Sequence, residues 1–224
     1  MTSPIKHPNG NQARPPKAKR FTVSSPVMRI YQHHSLHTGK NLRAEEGLEY
    51  KFLLQNAFKR DVAAIKTRAN SIYYDKNRRY TPDGCLRYKS GKFEWYEIKS
   101  KRSAEDPEFI AKWQRLQEVF TERNLSLRLI TDDMLPNAEE MANLQRFHLA
   151  YTSIKPKIEH IKLVEKLLFP GPTSLGKLAG MLREQKLSTR PVWYGLSTGI
   201  FFTDTTKFID STAQITNGDP RHDS

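Results

Sequence analysis

The sequence predicts an α/β protein: a mixed sheet flanked by helices, followed by a smaller module. Three observations predict it. Helical segments before Phe58 and after Pro107 each carry a single apolar face. Between them lie short extended segments punctuated by Gly, Pro, Asp and Ser. The order helix, four strands, helix, strand is that of a sheet covered by helices, not of a bundle or sandwich.

Residues 1–20 are rich in Pro, Lys, Asn and Gly without periodicity and read as a flexible basic arm, either a disordered leader or a tail that contacts phosphates. A helix is expected from Arg43 to Phe58, with Leu48, Phe52 and Leu53 as its apolar face and Glu49 at the edge of that face. Extended pieces follow at Val62–Thr67 and Ser71–Asp75. A hairpin comes next, strands 79–88 and 92–100 around a Ser90-Gly91 turn. Asp106 suits an N-cap and Pro107 the first helical position; Phe109, Trp113, Leu116 and Phe120 keep helical spacing to Asn124. Leu125–Thr131 reads as an apolar-alternating strand.

After Pro136 the pattern changes. Helices are expected over 137–148, 157–169 and 175–186, the last capped by Thr173 or Ser174. An aromatic hairpin is then expected, Val192-Trp193-Tyr194 against Ile200-Phe201-Phe202 around Ser197-Thr198-Gly199. Helix, helix, hairpin is the order of a winged-helix module. The expected division is therefore an arm at 1–20, a main domain at 21–135, a winged-helix-like domain at 136–212 and a disordered tail at 213–224. The module's moderate charge, with Lys177, Arg183 and Lys186 on one helix, leaves DNA and an acidic protein surface open as its partner.

The chain of 224 residues holds 37 Lys+Arg against 24 Asp+Glu, a formal net charge of +13. That balance favours an anionic partner, most simply nucleic acid. No run approaches the roughly 18 apolar residues that cross a bilayer, and the N-terminus has basic residues with no apolar stretch behind them, so neither a membrane span nor a signal peptide is expected. The single cysteine, Cys85, excludes an internal disulfide and a cysteine-based zinc cluster, which fits a reducing compartment. Cys85 itself reads as a small strand residue, not a nucleophile, since nothing marks a partner base. His33 and His37 would share a helical face, but no further ligand completes a tetrahedral zinc set. Trp113, Phe120, Phe201 and Phe202 read as core residues, whereas Trp193 and Tyr194 suit either a core or a partner surface.

The chemistry concentrates in YTPDGCLRYKSGKFEWYEIKSK, residues 80–101. Strand alternation puts Glu97 and Lys99 on one face, and the hairpin brings Asp83 beside them. Converging carboxylates make a hard-oxygen site of the kind Mg2+ takes, with Mn2+ as a substitute. An adjacent ammonium orients or deprotonates a water, or balances charge on a phosphorus. Arg78, Arg79, Lys101 and Arg102 rim the site and suit phosphate contacts; the plainer reading is a solvated charged face.

Pro82-Asp83 followed by Glu97-Ile98-Lys99 resembles the PD-(D/E)xK nuclease motif, and this resemblance implies a restriction-endonuclease-like fold with a further glutamate from the preceding helix. Glu49 is the natural candidate; Glu45 and Glu46 are weaker ones. Arg29-Ile30-Tyr31, His37-Thr38-Gly39, the Leu48-Glu49 helix start, Asp83, Lys99 and the helix with Trp113 together resemble the TnsA family over roughly residues 22–212. TnsA is the endonuclease subunit of heteromeric cut-and-paste transposases. The resemblance implies a bacterial, cytoplasmic, nucleoid-associated enzyme that cuts at the transposon's 5′ ends. Its implied partners are transposon-end DNA, a TnsB-like DDE transposase and a TnsC-like AAA+ regulator. Carried onto this chain, Glu49, Asp83 and Lys99 are catalytic, and Glu97 occupies a position that is Glu or Gln in the family. Glu49, Asp83 and Glu97 are then the metal ligands. Two other readings stay open: a stand-alone nuclease (restriction enzyme or junction resolvase), and a non-catalytic adaptor in a DNA complex.

Overall fold

The computed structural model describes residues 31–44, 47–75 and 78–218. The expected basic arm, Glu45, Glu46 and the chain from Asp219 onward lie outside the described residues, as do the side chains of 31–34. Strands β1 (Tyr31–His34) and β2 (Asn41–Ala44) pair antiparallel. The helix expected from Arg43 instead begins at Gly47 and ends at Ala57 (α1). The reason is a period-2 pattern ahead of it: Leu42 and Ala44 both pack on the core that α1 also covers, so this stretch is used as a strand. Because β1 is a strand, His33 and His37 do not share a helical face; His37 Nε2 instead lies 3.0 Å from the Asn56 carbonyl oxygen.

Strands β3 (Val62–Thr67), β4 (Ile72–Tyr73), β5 (Arg79–Tyr80), β6 (Gly84–Tyr88) and β7 (Phe93–Lys99) follow. The expected continuous strand 79–88 is broken at Thr81-Pro82-Asp83, with β5 pairing β4 in a separate ribbon. Proline has no N–H to give, and β6 lies between two neighbours, so Pro82 cannot extend it. The short helix α2 (Lys101–Ala104), α3 (Pro107–Glu122), β8 (Ser126–Thr131), a 3-10 turn at Asp132–Met134 and α4 (Ala138–Thr152) complete the first half. Asp106 caps α3, its Oδ1 accepting from the Glu108 and Phe109 N–H groups at 2.9 and 3.0 Å, with Pro107 in the first turn as expected.

The four-stranded sheet runs β3-β6-β7-β8, antiparallel except for the parallel β7–β8 pair. It is the mixed sheet flanked by helices that the sequence predicts. Phe52 and Leu53 of α1 cover one face, against Ile65, Leu86, Tyr96 and Ile98. Leu116 and Phe120 of α3 pack on the other side with Tyr80, Leu127 and Trp95. Phe120 is buried core, as expected; Trp113 is partly buried beside it and stacks on Phe109.

The second half contains α5 (Ile158–Leu168), β9 (Thr173–Ser174), α6 (Leu175–Glu184), α7 (Arg190–Thr198), β10 (Phe201–Phe202) and β11 (Gln214–Asn217) around its own core. Ser174 caps α6 by accepting from the Lys177 N–H at 3.3 Å. Two expectations are corrected here. Val192-Trp193-Tyr194 is helical, not the arm of a hairpin. Buried Val192 and Leu196 stand four apart, Pro191 opens the helix and Gly199 closes it at φ +72. The tail expected to be disordered from 213 instead forms β11 over 214–217, which pairs both β9 and β10 and buries Ile215 completely. Helix α4 joins the halves. Phe147 meets Phe58 edge-on at 5.8 Å, Lys51 Nζ donates to the Pro136 carbonyl, and Arg60 donates to the Gly199 carbonyl and lies over the Phe202 ring.

Gly84 is where β6 passes closest to its neighbours. A Cβ there would collide with the Tyr96 hydroxyl and the Lys66 carbonyl. Gly84→Ala is expected to destabilise the protein by about 1–3 kcal/mol, the scale of overpacking a filled interior, as read by urea unfolding.

Candidate active site

Strand β7 presents alternate residues to opposite sides. Tyr96 and Ile98 belong to the core under α1, whereas Trp95 belongs to the core under α3. Glu97 and Lys99 share the parity of Trp95 and so leave the strand on the α3 side. Glu97 is almost wholly buried at 6% exposure. One oxygen, Oε2, accepts from the Tyr80 hydroxyl at 2.6 Å; the other, Oε1, lies 3.0 Å from Lys99 Nζ. A carboxylate taken from water needs such partners on each oxygen. The ammonium of Lys99 is thereby aimed by a carboxylate that is itself held from behind.

Asp83 sits where β6 begins, in the break that Pro82 imposes. Its Oδ2 accepts from the Ile98 N–H at 2.7 Å, and its own carbonyl accepts from the Arg68 N–H. The side chain is therefore fixed to the middle of the Glu97-Ile98-Lys99 triplet. Burial pushes the Asp83 carboxyl up to about 7, and the Glu97 charge pushes the same way. The Ile98 N–H and Lys99 pull it down, and Glu49 adds a smaller upward push. Glu49, partly buried in the first turn of α1, also raises the Tyr96 hydroxyl, after burial and Asp83. The other three residues expected from the sequence, Glu97, Lys99 and Glu49, thus lie within electrostatic reach of Asp83, with Glu97 felt more strongly than Glu49.

Tyr80 joins the site without being marked by motif or spacing. Burial, followed by the Glu97 charge and the hydrogen bond to it, pushes its hydroxyl up, so it remains a proton donor. Lys112 Nζ lies 5.5 Å from the centre of its ring. The signal in the sequence was a tyrosine expected on a strand packed by the following helix, whose hydroxyl must find a partner when buried.

Arg78, Arg79, Lys101 and Arg102 are all exposed. Arg79 lies over the Tyr73 ring at 5.6 Å, and Lys101 and Arg102 open α2 directly after Lys99, behind the Ser100 cap. Cys85 is buried and burial pushes its thiol up, the behaviour of a packing residue.

Among the described residues, no three His, Cys, Asp or Glu side chains gather closely enough to hold a metal by themselves. Mg2+ does not require such a cage. It takes one or two carboxylates and fills its shell with water and phosphate oxygens. The donor chemistry here fits that ion. Asp83 is a carboxyl whose ionised form is disfavoured by burial and by two neighbouring carboxylates, a penalty that a cation relieves. Glu97 comes with both oxygens already engaged.

Residues 48–132 match the family described as TnsA-like endonuclease N terminal. The span starts one residue before Glu49 and contains Asp83, Glu97 and Lys99. No curated protein matches the chain.

Without divalent ions, Asp83 makes stability depend on pH. Its folded-state value lies above its unfolded one, so the contribution is full below about 4 and is lost as pH rises through about 7. Urea unfolding from pH 4 to 8 is expected to show the wild type losing stability relative to Asp83→Asn across that window. Tyr80→Phe strips a buried carboxylate oxygen of its donor and is expected to lower stability by about 1–3 kcal/mol. Adding Glu97→Gln is expected to give a non-additive double-mutant cycle.

Proposed function

We propose, for a chain whose residues 48–132 match the TnsA-like endonuclease N-terminal family, a Mg2+-dependent subunit of a heteromeric transposase that cuts DNA at the 5′ ends of the transposon during cut-and-paste transposition. One observation carries the reading. Inside the matched domain, a partly buried aspartate is tied to the backbone between a glutamate and a lysine that form an ion pair.

Asp83 and Glu49 would hold Mg2+, with Mn2+ as a substitute, and Glu97 would join them where its contact to Lys99 is exchanged. When bound, the ion supplies positive charge to the phosphate oxygens and acidifies a water. The residues of the chain do the rest. Lys99 faces the phosphate, where its ammonium balances the negative charge that grows on the non-bridging oxygens. Before the ion binds, Glu97 holds Lys99 in line, and Tyr80 holds Glu97. The water oxygen forms a bond to phosphorus as the P–O ester bond breaks, and the leaving oxygen takes up a proton. Arg78, Arg79, Lys101 and Arg102 contact flanking phosphates and set the duplex in register without reading sequence.

The second half, ordered helix, strand, helix, helix, strand, strand around one core, supports a winged-helix reading with β11 included. Its boundary with the nuclease domain then falls near residue 136. A TnsB-like transposase that cuts the 3′ ends and a TnsC-like regulator are the partners in this reading. No helix among the described residues is long and apolar enough to cross a membrane.

The test is strand-resolved nicking of transposon-end DNA by the full chain, with and without a TnsB-like partner and Mg2+. The expected result is cutting at the 5′ ends that needs both. Asp83→Ala and Lys99→Ala are expected to reduce it at least about a hundredfold while urea melts show a folded protein. Full activity in Asp83→Ala would remove the assignment. Robust cutting of naked DNA by the isolated chain would make it a stand-alone nuclease.

A further inference from the structure

We infer that the concave surface between the start of α5 and the α6–α7 turn is a second DNA-contact site, one that takes the phosphodiester backbone of a duplex. This cleft, of about 430 Å3, is lined by Lys155, Lys157, His160, Lys186 and Arg190 and by no Asp or Glu. Lys155, Lys157 and Lys186 are exposed. Lys157 has a solvent-facing pairing with Glu159 at 3.5 Å, which is worth little in water. Bringing like charges together on a concave wall is unfavourable unless an anion completes it.

The backbone around the cleft has the same polarity. Helices α5 and α7 both start at it; neither N-cap residue, Lys157 or Thr189, supplies a side-chain hydrogen bond to the first turn, and at α7 the Ser188 hydroxyl accepts from the Arg190 N–H at a long 3.4 Å. The positive ends of two helices therefore add to the cationic side chains. Lys186 is held at φ +57 by the turn that follows α6, so its position is set by the backbone.

The rest of α7 is committed to packing. Trp193 lies against Phe147 and Tyr194 stacks on Tyr151, both on α4. A duplex approaching this module therefore meets the start of α7 and not its aromatic side. Contacts of this kind position DNA and carry no base sequence. The site is separate from the residues proposed to hydrolyse DNA, and its test requires no cleavage.

The experiment measures binding of the full chain to a duplex by fluorescence anisotropy over a series of salt concentrations, without divalent ions. The triple variant Lys155→Gln/Lys157→Gln/Lys186→Asn is compared with a control that removes charge elsewhere, Lys89→Gln/Lys92→Gln. Each lost phosphate contact flattens the slope of log K against log salt by about 0.9. The triple variant is therefore expected to lose a slope of about 2 or more and at least about tenfold in affinity at physiological salt, while the control moves much less. Equal effects in the two variants, per charge removed, would reduce the cleft to a share of net charge and overturn the proposal. Two competitors test the ligand class. Loss of polyglutamate binding in the triple variant with duplex binding intact would assign the cleft to an acidic protein. Tripolyphosphate binding as tight as the duplex would make it a small-polyphosphate pocket. Either result overturns the duplex assignment.

Discussion

The hydrogen bond from the Ile98 N–H to the Asp83 carboxylate is the contact on which the candidate site depends. It ties the first residue of β6's approach to the middle of the Glu97-Ile98-Lys99 triplet, so the spacing of the acidic group from the ammonium follows from a backbone position and not from flexible side chains. Gly84 makes the approach possible, because any larger residue there would meet Tyr96 and Lys66. Pro82 makes the approach necessary, because it stops β6 from continuing and turns the chain out of the sheet just before the aspartate.

Around that contact the charges are arranged with an excess of carboxylate. Glu97 is stabilised on both oxygens, by a phenol on one side and an ammonium on the other, and so can be buried. Asp83 lacks that degree of support and is driven toward its neutral form by burial and by its acidic neighbours. The two carboxylates therefore have different environments: one is paired with a phenol and an ammonium, the other is held toward its neutral form. Separation of roles by environment is the general way in which like groups in one site come to do different chemistry.

The second half sits against the first through α4, which contributes Phe147 to the C-terminal core and meets Phe58 beyond the end of α1. Arg60 reinforces the junction at Gly199 and Phe202. Helix α4 thus packs on both halves, including the helix that carries Glu49. The same packing takes up the aromatic side of α7, leaving the charged end of that helix facing solvent.

Periodicity and end signals determined much of this protein. The amphipathic face and the Asp106-Pro107 start of α3, the apolar alternation of β8 and the Ser174 cap are local in origin, and so were legible in order along the chain. The Asp83, Glu97 and Lys99 group was legible too, because strand parity and one hairpin suffice to bring them together. Other features were decided only by tertiary structure. Leu42 and Ala44 became a strand because the core beneath α1 had room for alternate residues. Val192-Trp193-Tyr194 looked extended by its aromatic and branched residues, but burial of Val192 and Leu196 on one helical face won, with Pro191 and Gly199 as the end signals that favoured it. Residues 214–217 carry little signal of their own and are ordered by pairing with β9 and β10. Tyr80 gained its place at the site only when the sheet set it against Glu97. Local rules act over a turn or a strand pair, whereas partners far apart in sequence are chosen by which groups must be shielded from water together.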